Sequence, residues 1–288
     1  MASPPTPPGS PDVGVVVVTF RPGAIVGEVL DAIVAAAPAA IVVVDNSPTV
    51  PPDLTTAVAR HPQVRLLAQP HNLGFCEGNN VGVRALPDTR YVLFLNPDAI
   101  VEPSFLADAT SALDAHPDVG AINPKLVTID ATSFRRTGLI DCAGITQRWY
   151  GRFADRGQGE TDNGQYDGRI EDVTALCAAA MLCRRAALAD VAIDGGVFDE
   201  SFYMYKEDID LSLRLRKAGW RLLYLPMLTV GHARGTPASA RRQLPISQRR
   251  RSVVNEWRIW RKGLLPLRVE IPMLGYLAAK SLLVWTGR

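Results

Sequence analysis

Residues 13–47 read VGVVVVTFRPGAIVGEVLDAIVAAAPAAIVVVDNS. Two β-branched apolar runs, Val13 to Phe20 and Ala40 to Val44, flank a stretch with helical spacing. Neither run alternates with polar residues, so each predicts a strand covered on both faces, as in a parallel sheet. Between them Ile25, Val29 and Ile33 mark one face of a helix over 24–37, which Pro38 ends. Strand, helix, strand in so short a span is a βαβ unit. Such sheets gather ligands at the carboxyl ends of their strands, where Thr19 and Asp45 fall.

The pattern continues outward. A helix is predicted over 54–60, strands over 64–68 and 91–95 (YVLFL), a helix over 105–115 and a strand over 119–123. YVLFL ends at Asn96-Pro97-Asp98, a second carboxylate at a strand end. One such Asp is ordinarily a turn residue. Two on neighbouring strands begin to look like a site. Residues 71–82 (HNLGFCEGNNVG) hold three glycines and three asparagines and predict a tight loop entering a helix. Small residues there let backbone approach a phosphate. The spacing fits neither G-x-G-x-x-G nor the P-loop, so it indicates no dinucleotide fold and no NTPase.

Residues 127–172 are polar and glycine-rich and predict an irregular, functional or mobile insert. Residues 173–184 (VTALCAAAMLCR) are small and apolar and would admit a substrate or another backbone. The stretch 198–220, FDESFYMYKEDIDLSLRLRKAGW, places Glu207, Asp208 and Asp210 ahead of a helical pattern (Leu211, Leu215, Ala218), with Gly219 just past its end. A helix N-terminus favours negative charge. For an arbitrary sequence, a charged first turn on a surface helix is the commoner explanation. Phe202, Tyr203 and Tyr205 upstream suggest a wall around the carboxylates instead. After a strand at 221–225, His232 precedes a loop containing Arg234. A lone histidine is more often structural than catalytic. His232 nevertheless sits where a ligand would be presented.

With 288 residues, 47% hydrophobic and 21% charged, the chain can build one large α/β domain or two small ones. The net charge of +2 is unevenly spread: nine Lys or Arg and one acid lie between Arg241 and Arg268. That segment suggests an anionic partner. No recognised nucleic-acid module accompanies it. Val253, Trp257, Trp260 and Leu264 share a helix face, with Arg250, Arg258, Arg261 and Lys262 around the rest. Two readings stand side by side: an interfacial helix on an anionic membrane, or a helical subdomain packed on the core. Residues 263–285 are apolar but interrupted by Pro266, Arg268, Glu270, Pro272 and Lys280, which argues against a clean transmembrane span. The four cysteines lack metal-type spacing and read as reduced thiols of a cytoplasmic protein. Residues 1–11 are proline-rich without an apolar run, which reads as a disordered tail and not a signal peptide.

Taken together, VVVVTF, VVVDNS, HNLGFCEGNNVG, FLNPDA, RGQGETDNGQYD, FDESFYMYKEDIDLSLRLRKAGW and GHARG occur in one order over residues 13–236. That set resembles glycosyltransferase family 2, of GT-A fold, and its rhamnosyltransferase-like branch. The resemblance implies a Rossmann-like, mostly parallel sheet flanked by helices. Residues 12–240 would form the transferase domain, with 12–125 the nucleotide-sugar half and 126–240 the acceptor and catalytic half. Residues 241–288 would be a basic, amphipathic, membrane-associating segment.

The resemblance also implies roles. Asp45 would bind the base of a nucleotide-sugar donor, with Thr19 and Phe20 lining the same pocket. Asn79 and its loop, with Asn72 and Gly74, would hold the ribose and diphosphate. Asn96 and Asp98 sit where the family binds a divalent metal, Mg²⁺ or Mn²⁺, and His232 would complete the metal shell. Asp208 would be the catalytic base. Glu207, Asp210, Tyr205 and Arg234 would lie on the acceptor side. Two departures stand out: Asn96 replaces the first carboxylate of the metal motif, and Arg21-Pro22 replaces a polar residue after the first strand.

The implied activity is an inverting, metal-dependent transfer, foremost of L-rhamnose from dTDP-rhamnose, to a polyprenyl-diphosphate-linked saccharide in cell-envelope synthesis. The enzyme would be cytoplasmic and peripheral on the inner face of the plasma membrane. A UDP-hexose donor and a non-catalytic, nucleotide-sugar-binding scaffold are the alternatives. A sugar nucleotidyltransferase would want a glycine- and arginine-rich phosphate loop after the first strand, and Arg21-Pro22-Gly23 is a poor candidate.

Overall fold

The computed structural model describes residues 12–234 and 245–285. The proline-rich tail (1–11) and the expected domain boundary at 240/241 lie outside the described residues. The first half alternates strand and helix: β1 (Val13–Thr19), α1 (Ile25–Ala35), β2 (Ala40–Asp45), α2 (Pro52–Ala59), β3 (Val64–Ala68), α3 (Gly74–Ala85), β4 (Tyr91–Leu95), β5 (Ala99–Val101) and α4 (Phe105–Ala115). The second half is β6 (Val119–Ile129), β7 (Arg136–Cys142), β8 (Ile145–Gln147), β9 (Phe153–Asp155), β10 (Glu171–Asp172), β11 (Ala180–Arg184), α5 (Arg185–Asp190), a short 3₁₀ turn, α6 (Glu207–Lys217) and β12 (Arg221–His232). Two helices, α7 (Ile246–Arg261) and α8 (Leu267–Trp285), follow.

One ten-stranded sheet organises the molecule, in the order β10-β12-β6-β11-β4-β1-β2-β3, with β5 on β12 and β7 on β6. β3, β2, β1 and β4 run parallel. β11 enters antiparallel between β4 and β6, and β6 pairs parallel with β12. The valine runs of β1 and β2 are buried on both faces, as an all-apolar strand requires. Helix α3 lies directly on β1. A Cβ on Gly82 would stand 2.3 Å from a Val16 methyl, and one on Gly78 2.9 Å from a Val18 methyl.

Three sequence expectations change. The loop expected over 71–82 is helix from Gly74 onward, so two of its glycines serve helix–sheet packing. The irregular insert over 127–172 instead carries the end of β6 and four short strands. It is pinned by Lys125, buried on β6, whose Nζ bonds Asp162 and Asp167 at 2.6 Å each. Strand β12 runs on to His232 instead of stopping at residue 225.

The C-terminal helices pack on the domain. Ile259 is fully buried in the core, and Trp257 and Trp260 pack against it. The two indoles donate to Ser281 Oγ and the Glu270 carbonyl of α8, each at 3.0 Å. The face read as a membrane surface therefore joins α7 to α8 and the core. Among the described residues no helix is long and apolar enough to cross a membrane.

Candidate active site

A cleft of about 1080 Å³ opens beyond the carboxyl ends of β4 and β12 and the N-terminus of α6. Asn96, Asp98, Tyr205, Glu207, Asp208, His232 and Arg234 all line it. These residues span 139 positions of sequence, and sheet register brings them together. β12 pairs antiparallel with β5, so His232 stands opposite Ala99, and the Ala233 N–H donates to the Asp98 carbonyl at 2.9 Å. The Asn96 N–H donates to the Ala179 carbonyl at 3.0 Å, which carries the small stretch Cys177-Ala178-Ala179 into the cleft wall.

His232 is buried between two carboxylates. Nδ1 lies 2.7 Å from Asp141 Oδ2, and Nε2 lies 3.2 Å from Asp98 Oδ1 and 3.3 Å from the Asn96 amide. Burial alone would lower its pKa, but Asp98 and Asp141 outweigh burial and push it up to about 10. Burial likewise opposes ionisation of Asp98, and the charge and hydrogen bond of His232 hold its carboxyl below the usual range. Arg234 forms ion pairs with Asp141 at 2.6 Å and with Asp155 at 3.3 Å. Asp141 and Asp155 were not legible as site residues. They come from β7 and β9 within the insert, and nothing in their local spacing marks them.

The residues present fit a divalent cation as a half-site. Asp98 Oδ1 and His232 Nε2 converge on the cleft, and the hydrogen bond from Nδ1 to Asp141 orients the ring as ligating histidines usually require; a cation there would take the place of the Nε2 proton that the two carboxylates otherwise retain. Among the described residues no group of three or more His, Cys, Asp or Glu could hold a metal. Further ligands would thus have to come from a bound phosphate and water, as Mg²⁺ commonly takes them. One carboxylate with one imidazole is a mixed set that also suits Mn²⁺.

The α6 carboxylates divide in role. Glu207 is buried, and burial followed by repulsion from Asp208 pushes its pKa up to about 8. Its Oε2 finds no partner. Asp208 is half-buried on the cleft wall. Burial raises it and Lys206 opposes, leaving it pushed up to about 6. Asp208 Oδ1 accepts the Ile209 N–H at 2.8 Å. At neutral pH Glu207 is thus mostly neutral and Asp208 mostly anionic. Asp210 does not reach the cleft: it is fully buried, and bonds Arg214 at 2.9 Å and Lys262 at 2.6 Å.

A strained turn presents Asp208. Tyr203, Tyr205 and Lys206 all have positive φ, at 62°, 72° and 73°. Non-glycine residues hold such angles only where surroundings impose them. Here the imposing group is Asn255 on α7. It is fully buried, and its Nδ2 donates to the carbonyls of Phe202, Met204 and Tyr205 at 3.0, 3.0 and 2.7 Å. Gln248, also on α7, accepts from the Tyr205 hydroxyl at 2.9 Å.

Of the residues expected on the donor side, Thr19, Phe20, Asp45, Asn72, Gly74 and Asn79 lie along β1, β2 and the first half of α3, outside this cleft's wall. Thr19 Oγ1 and Ser47 Oγ both donate to Asp45 Oδ1, at 2.8 and 2.7 Å. Asp45 Oδ2 is buried with no partner. Phe20 is about half exposed beside Asp45's strand end. Asn72 Oδ1 accepts the Gly74 N–H at 2.8 Å. Gly74 has φ +79°, and a Cβ there would meet the Tyr203 ring at 2.5 Å. Asn79 is turned into its own helix, donating to the Phe75 carbonyl at 2.8 Å, and is buried. Its neighbour Asn80 clasps the chain ahead of α6. Its amide oxygen accepts the Val197 and Phe198 N–H groups, and its nitrogen donates to the Phe198 carbonyl and Glu200.

A family model described as "Glycosyltransferase like family 2" matches residues 10–255. The chain belongs to this family. It is a glycosyltransferase of GT-A fold. It is 31% identical over 239 residues to an N-acetylglucosaminyl-diphospho-decaprenol L-rhamnosyltransferase of Mycobacterium tuberculosis, covering 76% of this chain and 75% of that one. It is 28% identical over 195 residues to a pre-mycofactocin glycosyltransferase of the same organism, covering 67% of this chain and 37% of that one. Among solved structures, it resembles the mannosyltransferase PcManGT of Pyrobaculum calidifontis in complex with GDP-Man and Mn²⁺. The TM-score is 0.59 at 18% identity, covering 99% of this chain and 76% of that one. It also resembles GalNAc-T7 with UDP, GalNAc and Mn²⁺, at TM-score 0.61 and 14% identity, covering 80% of this chain and 45% of that one. At those identities the two structures speak to fold.

Proposed function

We propose that this glycosyltransferase moves L-rhamnose from dTDP-rhamnose to a saccharide on a polyprenyl diphosphate, with inversion at the anomeric carbon. The observation that carries the mechanism is that one cleft holds both an Asp98–His232 half-site for a cation and, separately, an anionic Asp208 whose ionisation is tuned near neutrality. The relative that acts on a diphospho-decaprenol-linked acceptor supports the sugar and the acceptor class.

Each residue then has a task. Asp45 offers its unpaired Oδ2 to an N–H of the donor base, with Thr19 and Phe20 beside it. Asn72 and Gly74 shape the turn next to the ribose and diphosphate, and Asn79 supports that turn from within α3. Asp98 and His232, with the Asn96 amide alongside, would hold Mg²⁺ or Mn²⁺. The cation, when bound, neutralises charge on the leaving diphosphate. Asp208 accepts the proton of the acceptor hydroxyl as that oxygen attacks. Base catalysis of this kind is worth roughly 10²–10⁴-fold. Glu207, Tyr205 and Arg234 line the acceptor side, while Asp210 anchors α6 from beneath. A single base opposite the leaving group gives inversion, with no covalent intermediate.

A thermal-shift comparison of dTDP, UDP and GDP, each with and without Mn²⁺ or Mg²⁺, tests this reading. Nucleotide at about 100 times its dissociation constant stabilises by roughly 2.7 kcal/mol. A metal-dependent shift with dTDP, absent in Asp98→Ala, is expected. A shift with UDP alone would keep the mechanism and move the sugar to a hexose. No shift with any nucleotide would favour a scaffolding role.

A further inference from the structure

The cleft is polarised. At one end Asp98 and Asp155 stand with His232 and Arg234. The other end is walled by α7, α8, the turn ahead of α6 and the turn between β8 and β9. Its charged groups are Arg152, Lys206, Arg249 and Lys280, with one acid, Glu256. Asp208 stands between the two ends. Beyond burial, the charges acting on its carboxyl are Lys206 of one end and Asp155 of the other.

Distant segments are fitted together to make the basic end. The β8–β9 turn is closed by the Arg148 N–H, which donates to the Arg152 carbonyl at 2.8 Å. It is seated on α8 at Gly151, where φ is +87° and a Cβ would stand 2.4 Å from Met273 Cβ. Beside it the rings of Tyr150 and Tyr276 pack with centroids 5.4 Å apart. This seating sets Arg152 at the cleft, exposed, and its guanidinium has no hydrogen-bond or ion-pair partner among the described residues. From α8, Lys280 Nζ lies 5.4 Å from the Tyr276 ring centre and bonds Glu256 Oε2 at 2.6 Å. Lys206 Nζ approaches the other oxygen, Oε1, at 3.7 Å. Burial and then Glu256 push the Tyr276 hydroxyl's pKa up, while Lys206 and Arg152 oppose them, so all three charges face one hydroxyl.

One buried carboxylate thus serves two lysines. An ammonium has three N–H groups, so each lysine keeps donors for a further acceptor. Among Arg152, Lys206, Lys280 and Glu256 the surplus is two positive charges. A diphosphate esterified at both ends carries two negative charges at neutral pH, and a guanidinium with ammonium groups suits its oxygens. The donor's diphosphate belongs to the cation half-site at the opposite end. An acceptor sugar carried on a diphosphate would give its hydroxyl to Asp208 and leave its own diphosphate one ring further on. Lys206, two residues before Asp208, stands on that side.

We propose that Arg152, Lys206 and Lys280, with the Tyr276 hydroxyl, form a site for the acceptor's diphosphate that needs no metal ion, across Asp208 from the Asp98–His232 half-site. Glu256 is a positioning residue that holds the two lysines in place. The assignment to the acceptor rests on the polyprenyl-diphosphate reading; the anion site itself does not.

The first test is titration calorimetry with geranyl diphosphate in the presence of a metal chelator, which silences the cation half-site. Wild type is expected to bind. Arg152→Ala and Lys280→Ala should each weaken binding about tenfold or more, as loss of a charged hydrogen-bond donor does. Asp98→Ala, and Arg169→Ala as an exposed arginine outside the cleft, should bind like wild type. Absence of metal-free binding in wild type, or binding that survives Arg152→Ala and Lys280→Ala, would overturn the proposal. The second test is kinetic, with dTDP-rhamnose and N-acetylglucosaminyl-diphospho-geraniol. Arg152→Ala should raise KM for the acceptor about tenfold or more and leave KM for the donor within about twofold. A rise in donor KM with acceptor KM unchanged would place the donor's diphosphate here and overturn the assignment. Transfer in wild type with acceptor KM indifferent to both substitutions would overturn the site and leave the functional reading standing. Lack of transfer in wild type, with metal-free binding that still depends on Arg152, would sink the functional reading and leave the anion site.

Discussion

Replacing Asp208 with Asn keeps the shape of the side chain and removes its capacity to take a proton. The structure sets the size of the effect in two ways. With its pKa pushed up to about 6, Asp208 is ionised in about one molecule in eleven at pH 5 and about ten in eleven at pH 7. The wild-type rate should therefore fall roughly tenfold over that interval, following the fraction of base present. Asp208→Asn should lose roughly 10²–10⁴-fold in kcat. Its residual rate should no longer fall between pH 7 and pH 5, because the titrating group is gone. The assay is initial-rate release of nucleoside diphosphate at saturating donor and acceptor, with nucleotide affinity and Tm measured beside it. A variant within fivefold of wild type, or one that keeps the acid limb, would refute the assignment of the base.

Further predictions follow from the same turn. Glu207 has its pKa pushed up from 4.5 to about 8, so below pH 4.5 both states carry the proton and between about 4.5 and 8 only the folded state does. Stability should fall as pH rises from about 4.5 to 8, and Glu207→Gln should gain over wild type across that window, on the order of 4 kcal/mol by pH 8; equal Tm profiles at pH 5 and pH 8 would contradict the buried carboxyl. Asn255→Ala takes the side-chain donor from the Met204 and Tyr205 carbonyls, while the Phe202 carbonyl keeps the Met204 N–H, and should cost about 2–3 kcal/mol in stability. It should also lower kcat more than it raises KM, because Asp208 is presented by that turn; a Tm loss with unchanged kcat would make Asn255 a purely structural clasp.

Much of the fold was legible because its signals are local. The valine runs, the 3.6-residue spacing of α1 and the glycine after α6 are properties of short windows, and they placed β1, β2, α1 and the end of α6 within a residue or two, whereas β6 and β12 run six and seven residues past their expected ends. Strand ends located Asp45 and Asp98, and the helix start located Asp208. The misses share one cause, since they depend on partners far along the chain. Asp141 becomes a site residue only when β6 takes β12 on one side and β7 on the other, and Asp155 only when β9 brings it to Arg234. Asn80 and Asn255 look like polar helix residues until the segment ahead of α6 arrives to be clasped. The asparagines and glycines of 71–82 suggested a ligand loop, yet their spacing suits a helix pressed on β1. The α7 tryptophans suggested a membrane face, and packing against α8 consumed it.

The most direct test of the central claim is to incubate the enzyme with dTDP-rhamnose, Mg²⁺ or Mn²⁺ and an N-acetylglucosaminyl-diphospho-polyprenol, and to determine the product by mass and NMR. The account predicts a rhamnosyl disaccharide lipid with the anomeric configuration opposite to the donor's, formed only with the cation and lost in Asp208→Asn. A product that retains the donor's configuration, or transfer that proceeds equally in Asp208→Asn, would contradict it.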